Sequence, residues 1–312
     1  MAAETGSLAL GDLPGDLLTV ALRFVDHRTL LRLERVNSQL RSVIAQFGLW
    51  QSLARSQIEF TDSCQSHRSS AEWKRLTLLA ARAVHDSRSH LRQVRGSNHR
   101  FADRAECSSV DHENESAENT LRWSHCGVEV NFLGNSITGG HPLAFLQLAA
   151  RVQVECGCAR GRPCYWSTAS TWSPKTDDYI EYTVSSNCLV DSVQIVPYRV
   201  FWYPGSPTYS PKRISFALYE TRDDGTLADV PVHQSKEYSV VKDMKLQTFW
   251  LPRRVFLSRG VLRLNLMGRQ EDIGVDVRQW MEENNLPPYY ICLSYVGATG
   301  ILETPVDDSD NV

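Results

Sequence analysis

The sequence predicts an α+β chain, with its helices first and an antiparallel β-sandwich after them. Three observations carry that expectation. Apolar residues recur every three to four positions over residues 13–53, the period of an amphipathic helix. After about Trp166 the period changes to two, as in strands with one buried face. About seven such runs follow, separated by turn residues, and an antiparallel sandwich is their simplest home.

At 312 residues with 42% hydrophobic and 9% aromatic side chains, the composition is that of a globular protein of one large or two ordinary domains. The net charge of -3, from 33 basic and 36 acidic side chains, supplies no field for holding nucleic acid or an anionic membrane. Neither partner is expected. The opening MAAETGSLAL lacks a basic n-region, and no stretch approaches the ~18 apolar residues of a membrane span. A cytoplasmic or nuclear location follows as an expectation. The eight cysteines are irregularly spaced, which suits a reducing compartment better than a disulfide framework.

The elements read in order. Pro14 suits a helix's first turn, because its missing N–H costs nothing there, and Leu18, Ala21, Leu22 and Val25 follow at helical spacing. Asp26 can cap a second helix carrying Leu30, Leu33 and Val36. Asn37 or Ser38 can cap a third carrying Leu40, Val43, Ile44 and Phe47. Trp50 and Leu53 close the module. It buries too little apolar surface to be comfortably stable alone, so it calls for a partner surface, for the following segment, or for both. That segment, Ala71 to Val94, is helix-prone with Leu76, Leu79, Ala80 and Ala83 on one stripe. From Arg95 to about Gly140 the pattern fades into polar, glycine-rich loop or linker.

Strands are predicted where Ile180, Tyr182 and Val184 alternate with polar residues, and likewise Ile214, Phe216 and Leu218; Leu262, Leu264 and Leu266; and Ile291, Leu293 and Tyr295. Further runs lie at Val190 to Pro197, Leu246 to Leu251 and Val255 to Leu257. Turn signals stand at Asp223-Asp224-Gly225, Ser258-Arg259-Gly260 and Met267-Gly268. Between Gln270 and Pro288, Val277, Trp280 and Met281 suggest a short amphipathic helix.

The opening module resembles an F-box. The resemblance rests on Leu13-Pro14, Asp16-Leu17-Leu18, then Leu30, Leu33, Val36, Leu40, Val43 and a closing Trp50, over about Leu10 to Leu53. Many F-boxes carry tryptophan where this chain has Leu40, which offers less contact area. The resemblance implies docking on a Skp-type adaptor, and through it on cullin and RING subunits of a ubiquitin ligase. By that carry-over Leu13, Pro14, Leu17, Leu18, Leu30, Leu33 and Val36 form the adaptor-binding set. Residues from about Leu148 to Ile301 resemble the carboxy-terminal half of a plant F-box family, and more distantly the galactose-binding-like, discoidin-type jelly-roll sandwich. The carrying stretches are Tyr165-Trp166-Ser167-Thr168, Asp178-Tyr179-Ile180-Glu181-Tyr182, Ile195-Val196-Pro197-Tyr198, the loop Phe201 to Lys212, Leu262 to Arg269 and Tyr289 to Ser294.

The expected organisation is a disordered start at 1–9, the F-box at 10–54, a helical segment and flexible linker at 55–140, the target-binding sandwich at 141–302 and an acidic tail at 303–312. The function implied is the substrate-recognition subunit of a Skp-cullin-F-box ligase, bound to an unknown protein target and without catalytic residues or cofactor. The alternative is a carbohydrate- or small-ligand-binding module of lectin type acting outside a ligase.

Within the sandwich, Phe201, Trp202, Tyr203, Pro204 and Tyr209 are the candidate target contacts. Prolines lower the entropy of ordering a loop, and aromatics supply contact area at low rotamer cost. Phe201, Trp202 and Tyr209 could equally fold back as sandwich core. Cys156, Cys158 and Cys164 offer three thiols, but a structural zinc site wants four ligands in paired knuckles; free thiols are the reading taken. No hydrolase elbow, phosphate loop, metalloprotease helix or dinucleotide fingerprint is present.

Overall fold

The computed structural model describes residues 13–60, 68–82, 89–92, 107–121, 163–200, 203, 206–270 and 274–303. Helices α1 (Gly15–Leu22), α2 (His27–Val36), α3 (Ser38–Gln46) and α4 (Leu49–Gln57) lead into a two-residue strand β1 (Ile58–Glu59) and helix α5 (Ser70–Ala80). The caps are those the sequence signals. The Asp26 carboxylate accepts from the Thr29 amide at 2.8 Å, and the Asn37 side chain accepts from the Gln39 amide at 2.7 Å. Ser69 and Glu72 form a reciprocal capping box on α5.

The remaining elements are β2 (Leu91–Arg92), a 3-10 turn at Ala117–Leu121, β3 (Trp166–Ser167), β4 (Asp178–Val184), β5 (Cys188–Arg199), β6 (Thr208–Tyr209), β7 (Pro211–Glu220), β8 (His233–Gln234), β9 (Tyr238–Ser239), β10 (Gln247–Leu257), β11 (Gly260–Arg269), α6 (Val275–Glu283) and β12 (Cys292–Leu302). Among the described residues they form two sheets of six strands. One runs β1-β10-β5-β12-β3, with β6 also on β5; the other runs β2-β4-β11-β7-β8, with β9 also on β7. All pairs are antiparallel except β1 with β10. The inner faces of the two sheets meet in a core that includes Ile180, Val193, Phe216, Leu264 and Val296. Alternation locates β4, β7 and β11, because each contributes one face to that core.

The helical module packs on the sandwich. Its core of Leu18, Leu22, Leu30, Leu40, Ile44 and Trp50 is continuous with Trp73 and Leu76 of α5 and with Leu189 and Phe256 of the first sheet. Strand β5 therefore buries both faces, which explains its near-continuous apolar run. Polar ties reinforce the contact. Arg75 donates to Glu303 at 2.6 Å, and Glu59 on β1 lies 2.7 Å from His233 on β8.

Several expectations are corrected. The helical stripe of Ala71 to Val94 ends at Ala80, and Leu91–Arg92 pair with Val184 and Thr183. Parts of the stretch read as linker belong to the sandwich: Cys107 bridges Ile180, and Ala117 joins the main core. Strand partners so distant in the chain leave no local period to read. Met267-Gly268 is no turn but lies inside β11, where Gly268 (φ 64°) sits between the pairs Met267 with Arg213 and Arg269 with Pro211 and the register is kept. Tyr295 does not share Leu293's face; a bulge between them sends it to another cluster. Glu303, read as the first residue of a solvated tail, is buried against Arg75 and Arg68. The stretches Arg151–Cys156, His141–Ala150 and 304–312 lie outside the described residues.

A second bulge falls between Thr299 and Gly300, where a Cβ on Gly300 would sit 2.0 Å from the Leu189 carbonyl oxygen. Gly300→Ala is expected to separate β12 from β5 locally and cost at least ~3 kcal/mol, the upper range for overpacking. Urea unfolding checks this; an unchanged midpoint would contradict it.

Candidate functional site

Two surfaces gather the residues singled out in the sequence. The first is the outward side of the helical module. Leu17 and Val20, at i and i+3, share one face of α1, and Phe24 follows in the turn just beyond it. They are 55%, 54% and 87% exposed. Val36 at the end of α2 is 79% exposed, and Phe47 beyond α3 is exposed against Gly15. Pro14 is exposed, while Leu13 and Leu33 are half-buried.

Leu18 and Leu30 depart from the expected docking set. Each is 1% exposed and lies in the module's own core. Leu18 is turned about 100° from Leu17 on α1, and it and Leu30 hold the helices together rather than present themselves. Val20, Phe24 and Phe47 extend the exposed apolar surface and were missed in the sequence. Their signal was available: an α1 apolar on more than its core face has surface left over.

The module's interior is fastened by one buried carboxylate. Glu34 on α2 accepts from the Trp50 indole at 2.7 Å and from Lys74 of α5. Arg41 donates twice to the Glu34 carbonyl, at 3.1 and 3.0 Å. The helices carrying the exposed face are thereby tied to α5, and through it to the sandwich.

The second surface is the aromatic end of the sandwich, beside the proline-rich loop. Tyr165 stacks on Tyr198 at 4.4 Å, and Tyr209 meets Tyr290 at 5.4 Å. The Tyr165 hydroxyl donates to Glu115 at 2.7 Å, and Ser167 donates to the other oxygen of that carboxylate. Tyr209 is 1% exposed, and its hydroxyl points at the Met281 sulfur, 3.7 Å away. It is core and not a target contact; the amphipathic helix α6 covers it through Met281. Tyr203 is half-buried against Trp280, at 5.7 Å. Phe201, Trp202 and Pro204 lie outside the described residues. Burial, first of all, pushes the phenols of Tyr165, Tyr203 and Tyr209 well above the usual tyrosine value, so these hydroxyls stay protonated and act as donors.

Thiol chemistry finds no support at this end. Cys164 and Cys292 are buried in the same aromatic cluster, and burial raises the Cys292 thiol far above its ordinary range. Cys188 is pushed up to about 12, again by burial. Among the described residues no group of three or more potential metal ligands occurs; Cys156 and Cys158 lie outside them. Nor is any described helix long and apolar enough to cross a membrane.

Comparison with known proteins agrees with the sequence resemblance. An F-box protein of Arabidopsis thaliana is 25% identical over 157 residues, covering 44% of this chain and 39% of the relative. The match thus spans well under half of that relative's length. No family model matches the chain. Solved structures found similar include a chitosan-binding module from Paenibacillus sp. IK-5, with a TM-score of 0.33 and 11% identity, covering 62% of this chain and 91% of the module. A carbohydrate-binding module of a Clostridium perfringens glycoside hydrolase has a TM-score of 0.32 and 7% identity, covering 63% and 89%. A striped bass fucolectin has a TM-score of 0.32 and 11% identity, covering 63% and 46%. The sandwich is defined by its own strand pairings. The protein is thus an α+β chain that resembles an F-box protein, with a β-sandwich following its helices.

Proposed function

We propose that this protein is the substrate-recognition subunit of a Skp-cullin-F-box ubiquitin ligase. In this reading the helical module docks on the Skp-type adaptor and the sandwich holds the target. The observation that carries it is the exposure of Leu17 and Val20 on α1 and of Phe24 in the turn after it, in a module whose sequence resembles an F-box. Clustered large apolar side chains left in water mark a docking surface. The adaptor-binding residues proposed are Leu13, Pro14, Leu17, Leu33 and Val36, joined by Val20 and Phe24.

The module contributes no chemistry of its own. Its work is positional: it holds a bound target near a charged ubiquitin-conjugating enzyme and so raises the effective concentration of the reacting groups. The packing of α5, Leu189 and Phe256 supports a stiff connection between adaptor and target, in place of a flexible tether.

Co-elution of the full chain with a purified Skp adaptor tests the reading, beside Leu17→Asp and Phe24→Asp. Both side chains are exposed, so both variants are expected to fold. Each is expected to weaken the complex by at least about 30-fold, the ~2 kcal/mol of one hot-spot side chain. A wild-type chain that forms no complex would overturn the proposal.

A further inference from the structure

A cleft of about 680 Å³ lies between the helical module and the sandwich. His27 at the start of α2, Gln57 at the end of α4 and Ala80 and Ala81 at the end of α5 line one side. Asp191 of β5 lies among them, and Trp250 to Arg254 of β10 form the other side. A bulge creates that side: β10 leaves its ladder with β5 between Trp250 and Val255. Pro252 sits within the gap, where its missing N–H does no harm.

The two arginines of the bulge have different situations. Arg254 is held in place, donating to the Ala80 carbonyl and, at 3.3 Å, to the Arg82 carbonyl. It also lies 3.9 Å from the Asp191 carboxylate, which accepts from Thr299 at 2.8 Å. Its charge and that of Asp191 offset each other. The Arg253 side chain is 50% exposed and lies 3.3 Å from Glu59. Glu59 has a second, closer partner in His233, at 2.7 Å. An incoming carboxylate can therefore take the Arg253 guanidinium without stranding Glu59. Beside it the Trp250 side chain is 53% exposed.

We propose that this cleft binds an extended, acidic peptide segment of the target protein, with a carboxylate on Arg253 and a neighbouring apolar side chain on Trp250. The inference rests on the reading of this protein as a target receptor. Among the described residues of the cleft the half-exposed Arg253 guanidinium can grip one carboxylate with two parallel hydrogen bonds. A dianionic phosphate would want a second guanidinium, and among the described residues lining the cleft the other one, Arg254, is already matched by Asp191. An exposed indole supplies contact area at small entropic cost. Trp250, Pro252 and Arg253 are all exposed in sequence, so an extended chain can lie across them.

The test uses the full chain on an array of dodecapeptides, each with one Asp or Glu and one Leu or Phe at varied spacing on a Gly-Ser background. Matching peptides carry Asn or Gln, or phosphoserine, at the acidic position. Wild type is expected to bind a subset of the acidic peptides and to lose about tenfold or more when the acid becomes its amide. Arg253→Gln and Trp250→Ala are expected to lose as much, with unchanged thermal midpoints, while Arg253→Lys retains part of the binding. Equal binding of acid and amide peptides would overturn the proposal, as would full binding by both variants, preference for phosphoserine, or equal competition by free glutamate or by a disaccharide. Adaptor capture is measured on the same preparations. Capture without peptide binding overturns the cleft inference alone; peptide binding without capture overturns the ligase reading alone.

Discussion

Trp50→Ala is expected to unfold the helical module and abolish adaptor capture, although Trp50 lies outside the exposed face. The indole is 1% exposed, its N–H is spent on Glu34 at 2.7 Å, and Lys74 stands over its ring at 5.6 Å. Truncating a buried tryptophan costs ~3–5 kcal/mol through lost transfer energy and the cavity left behind. Trp50→Phe keeps most of the volume and removes the donor, so it is expected to cost less, ~1–3 kcal/mol. Urea unfolding with adaptor capture checks both. Alanine at wild-type stability would show that the Glu34–Trp50–Lys74 arrangement is not what fastens α2, α4 and α5.

Arg269→Ala is expected to be similarly severe at the opposite end of the molecule. Arg269 is 1% exposed and donates to Asp178 at 2.9 Å and to the carbonyls of Ala169 and Tyr289 at 2.8 and 2.7 Å. One side chain thus joins the end of β11, the start of β4 and the chain returning from α6. Removing it leaves the Asp178 carboxylate buried, with Ser108 and Ser109 as its remaining donors, and breaking such a pair costs ~3–5 kcal/mol. The double variant Arg269→Met, Asp178→Asn is expected to lose less than Arg269→Ala, since no charge is then stranded. Thermal unfolding of the three proteins decides it. Equal losses in single and double variants would place the cost in packing and not in charge.

The elements legible in the sequence are those with a local signal. Ile180, Tyr182 and Val184 alternate because β4 has one dry face, and Asp26 and Asn37 mark helix starts because their side chains satisfy backbone donors. Leu91–Arg92 and Cys107 read as helix and linker because their order comes from β4, some 70 to 90 residues further along the chain. The aromatic loop shows the same limit. Its composition admits contact or core equally, and Tyr209 went inward once α6 supplied Met281 to cover it. The cleft draws on His27, Gln57, Ala80, Asp191 and Trp250, residues that no window of sequence brings together. One local hint existed, Pro252 inside an otherwise strand-like run, which is where a bulge is expected.

The central claim is that the exposed face of α1 and α2 docks a Skp-type adaptor while the sandwich stays free to hold its target. Amide hydrogen exchange of the full chain, with and without the adaptor, tests this most directly. Docking stabilises the module by mass action and slows its local opening, so added protection is predicted across residues 13–37, with β4, β7 and β11 unchanged. Exchange in residues 13–37 that the adaptor leaves untouched would contradict the account.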